Sequence, residues 1–493
     1  MIKGSACADG GSPRTRALRE ERGDMAPASP LAGPGPRAEG GVVGVFGHAD
    51  APARAALGLH ALQHRGEAAA GVVACDGRRF DAHRGVGLVG EIFLSEATRG
   101  RLRGHAAIGQ NAGAIASDPE RRGGQPLLVD LDLGGLALAQ SGRLTNAAAL
   151  RRALARRGAL LRSATDAEVL VHLVAVARGD TLPERLAHAL RQVEGAYALV
   201  ALTREALLGA RDPLGVRPLS LGRLDGAYLL ASETCAFELL GAERVRDVEP
   251  GELVVLDGGE PRSLRITQNR GRRPCLLEHV RLARPDSVLD GSSVYEARKR
   301  IGRELARESH VAADLVMPVP DAGVPSALGY AAEAGVPFEP GIHRSYPVAR
   351  TAVAPAQRGR GVDVRLRYNV SCREIAGKRV VVVDDALSCE RAARELVRMV
   401  RAACAREVHL RIAAPPLAHS CHYGVSTPGC EARRARSASV EETAARLAAD
   451  SLAFLSLDGL YRALGEPGRD PAAPSYCDAC FTGLYPAEPA LVA

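Results

Sequence analysis

The chain has no tryptophan, and only ten tyrosines and seven phenylalanines in 493 residues. A binding mode in which bases or sugars stack on aromatic platforms is therefore not expected. Lysine is almost missing too: Lys3, Lys299 and Lys378 are the only three, and the rest of the positive charge is arginine. The formal charge of +7 is modest for this length, and no concentrated basic run occurs. DNA and RNA are accordingly not expected as partners. No apolar run is long enough to span a bilayer. The opening residues Met1-Ile2-Lys3-Gly4-Ser5 lead into polar and charged sequence, not into an apolar signal core. These absences point to a cytoplasmic, reducing setting. The eleven cysteines are then not expected to form a disulfide framework, and most of them read as small core residues. Internal repeats are lacking as well.

What is present suffices for two or three domains with a sizeable core, since 46% of the residues are hydrophobic. Residues 1–38 are rich in Gly, Pro, Ala, Arg and Glu without an apolar period, and read as a disordered leader. From Gly41 onward, short β-type runs are separated by Gly, Asp and Pro: 41–46, 71–74, 136–139, 196–202, 227–231 and 253–256. Helical stretches at 146–157 and 167–177 intervene. This order suits a layered α+β domain over 39–270.

Over 271–493 strands and helices alternate more regularly. Segments 315–319, 380–383 and 408–412 read as buried parallel strands, and 294–308 and 391–405 as helices. In the second helix Ala393, Leu396, Val397, Val400 and Cys404 fall at helical spacing. After 380–383 come Asp384-Asp385, a loop and that helix, the skeleton of a doubly wound α/β domain. Ligands of such sheets bind beyond the carboxyl ends of the strands.

Several separate segments resemble amidophosphoribosyltransferases, in the right order. They are Glu39-Gly40-Gly41-Val42-Val43-Gly44-Val45-Phe46-Gly47-His48, Ala61-Leu62-Gln63-His64-Arg65-Gly66, Arg211-Asp212-Pro213-Leu214-Gly215-Val216-Arg217-Pro218 and Ser232-Glu233-Thr234-Cys235-Ala236-Phe237. Further on follow Asp247-Val248-Glu249-Pro250-Gly251-Glu252, Ala283-Arg284-Pro285-Asp286-Ser287, Pro318-Val319-Pro320-Asp321, Val383-Asp384-Asp385, Cys421-His422-Tyr423-Gly424 and Cys477-Asp478-Ala479-Cys480. The resemblance implies an N-terminal-nucleophile glutaminase domain, an αββα sandwich, followed by a type I phosphoribosyltransferase α/β domain. The family makes phosphoribosylamine from glutamine and phosphoribosyl diphosphate, the first committed step of purine synthesis.

Measured against that family, the catalytic positions are damaged. The nucleophilic cysteine, which a propeptide masks until it is removed, is Gly40, and glycine has no side chain to attack with. The arginine that holds the glutamine carboxylate corresponds to Ala112, within Gln110-Asn111-Ala112-Gly113-Ala114-Ile115-Ala116-Ser117. The oxyanion Asn-Gly pair corresponds to Ser141-Gly142, so one donor is lost, a loss that costs about 2.7–4 kcal/mol of catalysis where measured. Asp166 matches the aspartate that contacts the substrate amine. By itself such a carboxylate is more often a helix-start cap.

In the second domain Asp384 and Asp385 match the acidic pair that contacts the ribose hydroxyls and assists Mg²⁺-diphosphate binding. A solvated turn after a strand is the plainer reading of the same pair. The phosphate cradle Arg-Gly-Thr-Thr corresponds to Cys389-Glu390-Arg391-Ala392, with Glu390 adding a negative charge where phosphate would sit. Arg391 could supply some phosphate attraction. Asp321 counts with the acidic pair as a remnant of the phosphoribosyl diphosphate and Mg²⁺ site, though Ala322 replaces the serine beside it. Of a further substrate loop, only Arg350 and Thr351 match cleanly.

Several family members carry a [4Fe–4S] cluster between the domains, and the resemblance assigns its ligands to Cys235, Cys421, Cys477 and Cys480. Core cysteines without metal and a Cys₄ zinc site remain open beside it. The expectation is a folded, non-catalytic relative in a homo-oligomer, or in a hetero-oligomer with an active family member. Mg²⁺ is a possible second cofactor. The alternative is a residual ammonia-dependent, or a repurposed, phosphoribosyltransferase.

Overall fold

The computed structural model describes residues 37–38, 40–93, 100–113, 124–267, 271–345, 362–426 and 438–486. Two antiparallel sheets form the first half. One has seven strands in the order Glu243–Asp247, Ser220–Leu224, Ala227–Ala231, Gly41–Phe46, Ala106–Ala112, Ala69–Cys75, Phe80–Val86. The other has six, in the order Arg262–Arg265, Glu252–Leu256, Leu207–Arg211, Gly195–Leu202, Gly134–Leu144, Leu127–Leu131.

The sheets face each other across Val42, Val73, Ile108, Ala139, Val200, Leu207, Leu230 and Val254. Helices Ala51–Ala61 and Cys235–Leu240 cover the outer face of the first sheet. Ala147–Arg156, Asp166–Val176 and Leu182–Leu190 cover that of the second. The result is an αββα sandwich. Gly41–Phe46 is buried at all six positions, which is why it reads as a continuous apolar run and not as an alternation.

The second half is built on a parallel sheet ordered Leu315–Pro318, Arg379–Asp384, Glu407–Ile412, Ser451–Phe454. Helices Val294–Ser309 and Val324–Ala334 pack on one face, and Glu390–Ala402 with Val440–Leu447 on the other. Covered on both faces, its strands are apolar runs such as Val380 to Val383. In Glu390–Ala402 the residues Leu396, Val397 and Val400 face the core, as their spacing predicts. Cys404 does not: it lies beyond the helix end, exposed, at φ +63°.

Two expectations need correction or limits. Residues 37–38, placed in a disordered leader, form a short antiparallel pair with Val425–Ser426 of the second half, Arg37 opposite Ser426 and Ala38 opposite Val425. The rest of the leader lies outside the described residues. Among the described residues no helix is long and apolar enough to cross a membrane.

The two halves meet over a buried ion-pair network. Arg65, Glu233 and Glu278 are all almost fully buried. The Arg65 guanidinium pairs with Glu233 and, at 2.7 Å, with Glu278. Arg217 approaches Glu278 at 3.3 Å, and Glu233 also accepts from the Ser287 hydroxyl and the Arg284 N–H. Burial alone would raise the Glu233 carboxyl, but Arg65 and His64 outweigh it and hold it well below the usual carboxylate range.

Candidate functional site

Gly40 enters the first strand at φ +128°, a conformation that L side chains rarely adopt. A Cβ built there would stand 2.4 Å from the Asn111 carbonyl oxygen and 2.9 Å from Gln110 Nε2. The position thus lacks not only a thiol but room for one. Its carbonyl accepts the Ser141 hydroxyl at 2.7 Å, and Arg217 Nη2 donates to the same hydroxyl at 3.4 Å. The next N–H, of Gly41, donates to the Asn111 side chain at 2.7 Å, and that side chain donates in turn to the Leu62 carbonyl at 2.7 Å. Gln110 donates to the Gln140 carbonyl at 3.3 Å. Polar side chains bonded to backbone therefore fill the space around Gly40.

Ala112 ends its strand with no group able to hold a carboxylate, and its carbonyl accepts from Ala68. The run from Ala114 to Ser117 lies outside the described residues. Gly142 is backed by the second domain: a Cβ on Gly424 would sit 2.7 Å from Gly142 Cα, so the bare backbones touch. Asp166 opens its helix and accepts from Leu144 N–H at 2.8 Å. That bond ties the end of the strand Gly134–Leu144 to the helix start. Ser141, Gly142 and Asp166 lie around one strand end, and Gly40 joins Ser141 by the hydrogen bond above.

In the second domain Asp384 and Asp385 stand at the carboxyl end of the central strand Arg379–Asp384, the position at which such sheets bind ligands. They are not a solvated turn, because Asp385 is fully buried. Arg281 Nη1 contacts Asp385 Oδ1 at 2.5 Å, and the same oxygen accepts from Ala386 N–H at 2.7 Å. Asp384 Oδ1 accepts from Asp385 N–H at 2.8 Å. Burial, and then the Asp385 charge, push the Asp384 carboxyl well up. Asp321 pairs with Arg344.

Glu390, the first residue of its helix, is held by Arg446 through two bonds of 3.0 Å. Arg446 sits in the last turn of Val440–Leu447, which starts with a Ser439/Glu442 capping box. The negative charge expected at Glu390 is thus balanced internally, while Arg391 points to solvent. Arg350 and Thr351 lie outside the described residues. None of the three partner arginines, 281, 344 and 446, was expected from sequence. Arg281 lies four residues before the quoted Pro285, so that motif gave its only signal. The Arg281 guanidinium occupies Asp385 Oδ1, whereas Asp385 Oδ2 is buried without a hydrogen-bond partner.

The cysteines require a correction. Cys421, Cys477 and Cys480 line one small cavity, but the fourth cysteine there is Cys275, not Cys235. Cys275 is joined to Cys477 by a parallel β-bridge, with Cys477 N–H donating to the Pro274 carbonyl and Leu276 N–H to the Cys477 carbonyl. Cys235 lies elsewhere, its sulfur 3.9 Å from the Ala61 carbonyl and from Glu233. It serves the inner face of its own helix. Burial, then Glu278 and Cys421, push the Cys275 thiol up to about 12; burial and the neighbouring thiols also raise Cys477 and Cys480. Among the described residues no three His, Cys, Asp or Glu side chains converge on a single ion. Four thiols around a cavity, with Val216, Leu277, Tyr423 and Val425 as apolar walls, suit a multi-iron cluster better than one zinc at about 2.3 Å from each sulfur.

Together these features define an N-terminal-nucleophile glutamine amidotransferase fold joined to a type I phosphoribosyltransferase fold. Comparison with known proteins agrees. A family described as glutamine amidotransferase domain matches residues 113–238. The amidophosphoribosyltransferase of Rhizobium etli is 46% identical over 463 residues, 93% of either chain. That of Bacillus subtilis is 42% identical over 451 residues, 91% of this chain and 94% of the relative.

Among solved structures, the glutamine phosphoribosylpyrophosphate amidotransferase from B. subtilis, complexed with ADP and GMP, superposes with a TM-score of 0.86. It is 41% identical and covers 92% of this chain and 98% of its own. A structure described as the allosteric regulatory enzyme of purine biosynthesis gives the same score and identity. The chain belongs to the amidophosphoribosyltransferase family of purine biosynthesis.

Proposed function

We propose that this member of the family has lost glutamine hydrolysis and ordinary phosphoribosyl transfer, and serves as a regulatory or scaffolding partner, in a homo-oligomer or beside an active family member. One observation carries the reading: the backbone at Gly40 excludes a side chain where the family's chemistry starts. Ala112 and Ser141 extend the loss to the carboxylate clamp and the oxyanion donor. The purified chain should release no glutamate from glutamine above a no-enzyme control. Turnover, or covalent labelling at residue 40 by a glutamine-analogue electrophile, would refute the reading. The second reading, an ammonia-dependent or repurposed transferase, draws its support from the retained Asp384–Asp385 pair. Micromolar binding of phosphoribosyl diphosphate, about −8 kcal/mol, would favour it.

A [4Fe–4S] cluster is part of the proposal, held by Cys275, Cys421, Cys477 and Cys480. Such a cluster would supply the positive charge that four buried thiolates need, and would tie the linker after the first domain to the C-terminal segment. Protein purified without oxygen should be brown, with about four irons per chain. Cys275→Ser should bleach it and Cys235→Ser should not. Bleaching by Cys235→Ser alone would restore the assignment expected from sequence, and a colourless preparation holding stoichiometric zinc would overturn the cluster.

A further inference from the structure

Three acids near the carboxyl end of the parallel sheet each have an arginine brought from another element. Arg344 pairs with Asp321, Arg446 with Glu390 and Arg281 with Asp385. The third pair differs in burial. Asp385 is fully buried and the Arg281 side chain is only 18% exposed, so water screens this pair least. Arg281 reaches the site from the helical turn Glu278–Leu282, which also carries Glu278 of the junction network.

We infer that Arg281 is a built-in counter-ion that stands in place of a divalent cation at Asp384–Asp385. A magnesium-sized cation needs oxygen ligands at about 2.0–2.1 Å in near-octahedral order. Asp385 Oδ1 is already engaged by a guanidinium nitrogen at 2.5 Å and a backbone N–H at 2.7 Å, so of that carboxylate only Oδ2, buried and without a hydrogen-bond partner, is left for a cation. A cation placed there would also face the fixed arginine charge. Two carboxylates and one guanidinium leave the trio with at most a single negative charge, where a vacant acidic pair would offer two. The acidic pair is thereby turned from a cation-assisting site into a latch between the parallel sheet and the domain junction. The inference takes from the functional reading only the identity of the acidic pair. Its test uses neither glutamine nor phosphoribosyl transfer, so the two can fail separately.

The test is Mn²⁺ binding to the full chain, followed by the loss of the free-ion electron paramagnetic signal. The unmodified chain should bind no Mn²⁺ that Asp384→Asn removes. Arg281→Gln should tighten Mn²⁺ binding by about tenfold or more, and adding Asp385→Asn should cancel the gain. Arg281→Lys, which keeps the charge, should remain a poor binder. If Arg281→Gln is unstable, Mn²⁺ should raise its Tm or rescue its refolding while leaving the unmodified Tm in place. Stoichiometric Mn²⁺ on the unmodified chain, lost in Asp384→Asn, would overturn the inference. So would an Arg281→Gln protein, folded or refolding, that gains neither binding nor stability from the ion.

Discussion

At Gly40 two separate facts, the missing thiol and the missing space, bear on one experiment. Gly40→Cys restores the nucleophile in name, but its Cβ meets the Asn111 carbonyl at 2.4 Å in a backbone region that disfavours side chains. The variant is expected to lose about 1–3 kcal/mol of stability and to remain inactive on glutamine. Denaturant unfolding beside a glutamate assay checks both. A stable, active Gly40→Cys protein would mean that the strand entry rearranges. The missing thiol was legible in sequence because a residue type alone decides nucleophilicity. The missing space was not, because it depends on the carbonyl of residue 111 in a paired strand. Cys235 and Cys275 teach the same lesson: only Cys235 lies in a segment quoted for family likeness, yet the bridge to Cys477 places Cys275, not Cys235, at the cavity.

A second residue sets a pH window. His279 is 3% exposed, edge-on to the Tyr476 ring at 6.3 Å. Burial lowers it from 6.5 to about 4, against the pull of Asp290 and Glu278, while Arg298 and Arg300 add to the lowering. It is neutral when folded and gains a proton more readily when unfolded. Stability from this group is therefore present above pH 6.5 and lost as pH falls from 6.5 toward 4, by roughly 3 kcal/mol in all. His279→Phe should flatten the pH dependence of Tm in that window. An unchanged slope would show that His279 does not carry it.

Among elements, the helix Glu390–Ala402 shows how far periodicity reaches. Its core face followed from the spacing of Leu396, Val397 and Val400, while its bounds were off: it starts at Glu390 in place of 391 and ends at Ala402, short of Cys404. Its charge balance did not follow, since Arg446 comes from a helix 56 residues later. That pair is part-exposed, at 42% and 19%, so Arg446→Ala should cost no more than about 1 kcal/mol. The phosphate cradle is consequently cheap to reopen. Changing residues 389–392 to Arg-Gly-Thr-Thr should strengthen phosphoribosyl diphosphate binding in calorimetry, and Arg281→Gln on top should add to it. No gain from either would locate the defect in another part of the site. The pairing of 37–38 with 425–426 was equally hidden, because a two-residue strand carries no period to read.

On the scale of the whole molecule, the two domain folds were legible: apolar runs gave a layered α+β half and a doubly wound half, and the family resemblance made the first an αββα sandwich. Their junction was not. Arg65 and Glu233 lie in segments quoted for family likeness, and nothing in the sequence says that one guanidinium spans Glu233 of the first domain and Glu278 of the second. Removing one partner of a buried pair leaves an uncompensated charge, at about 3–5 kcal/mol. Arg65→Ala should cost that much, with His64 left to Glu233 and Arg217 to Glu278, and Glu278→Gln should cost a similar amount, because it takes a counter-ion from both Arg65 and the fully buried Arg217. Because the network joins the domains without belonging to either core, the expected signature is separation. A single calorimetric transition in the unmodified chain should split in Arg65→Ala into two, one per domain. The Glu233 carboxyl, held low by Arg65 and His64, contributes stability above its unfolded value of 4.5 that is lost as pH falls below it. Acid should therefore split the unmodified transition in the same way, in a window below that of His279. If Arg65→Ala melts as one unit with an unchanged Tm, the junction is held by apolar contact alone and the ion pairs are passengers.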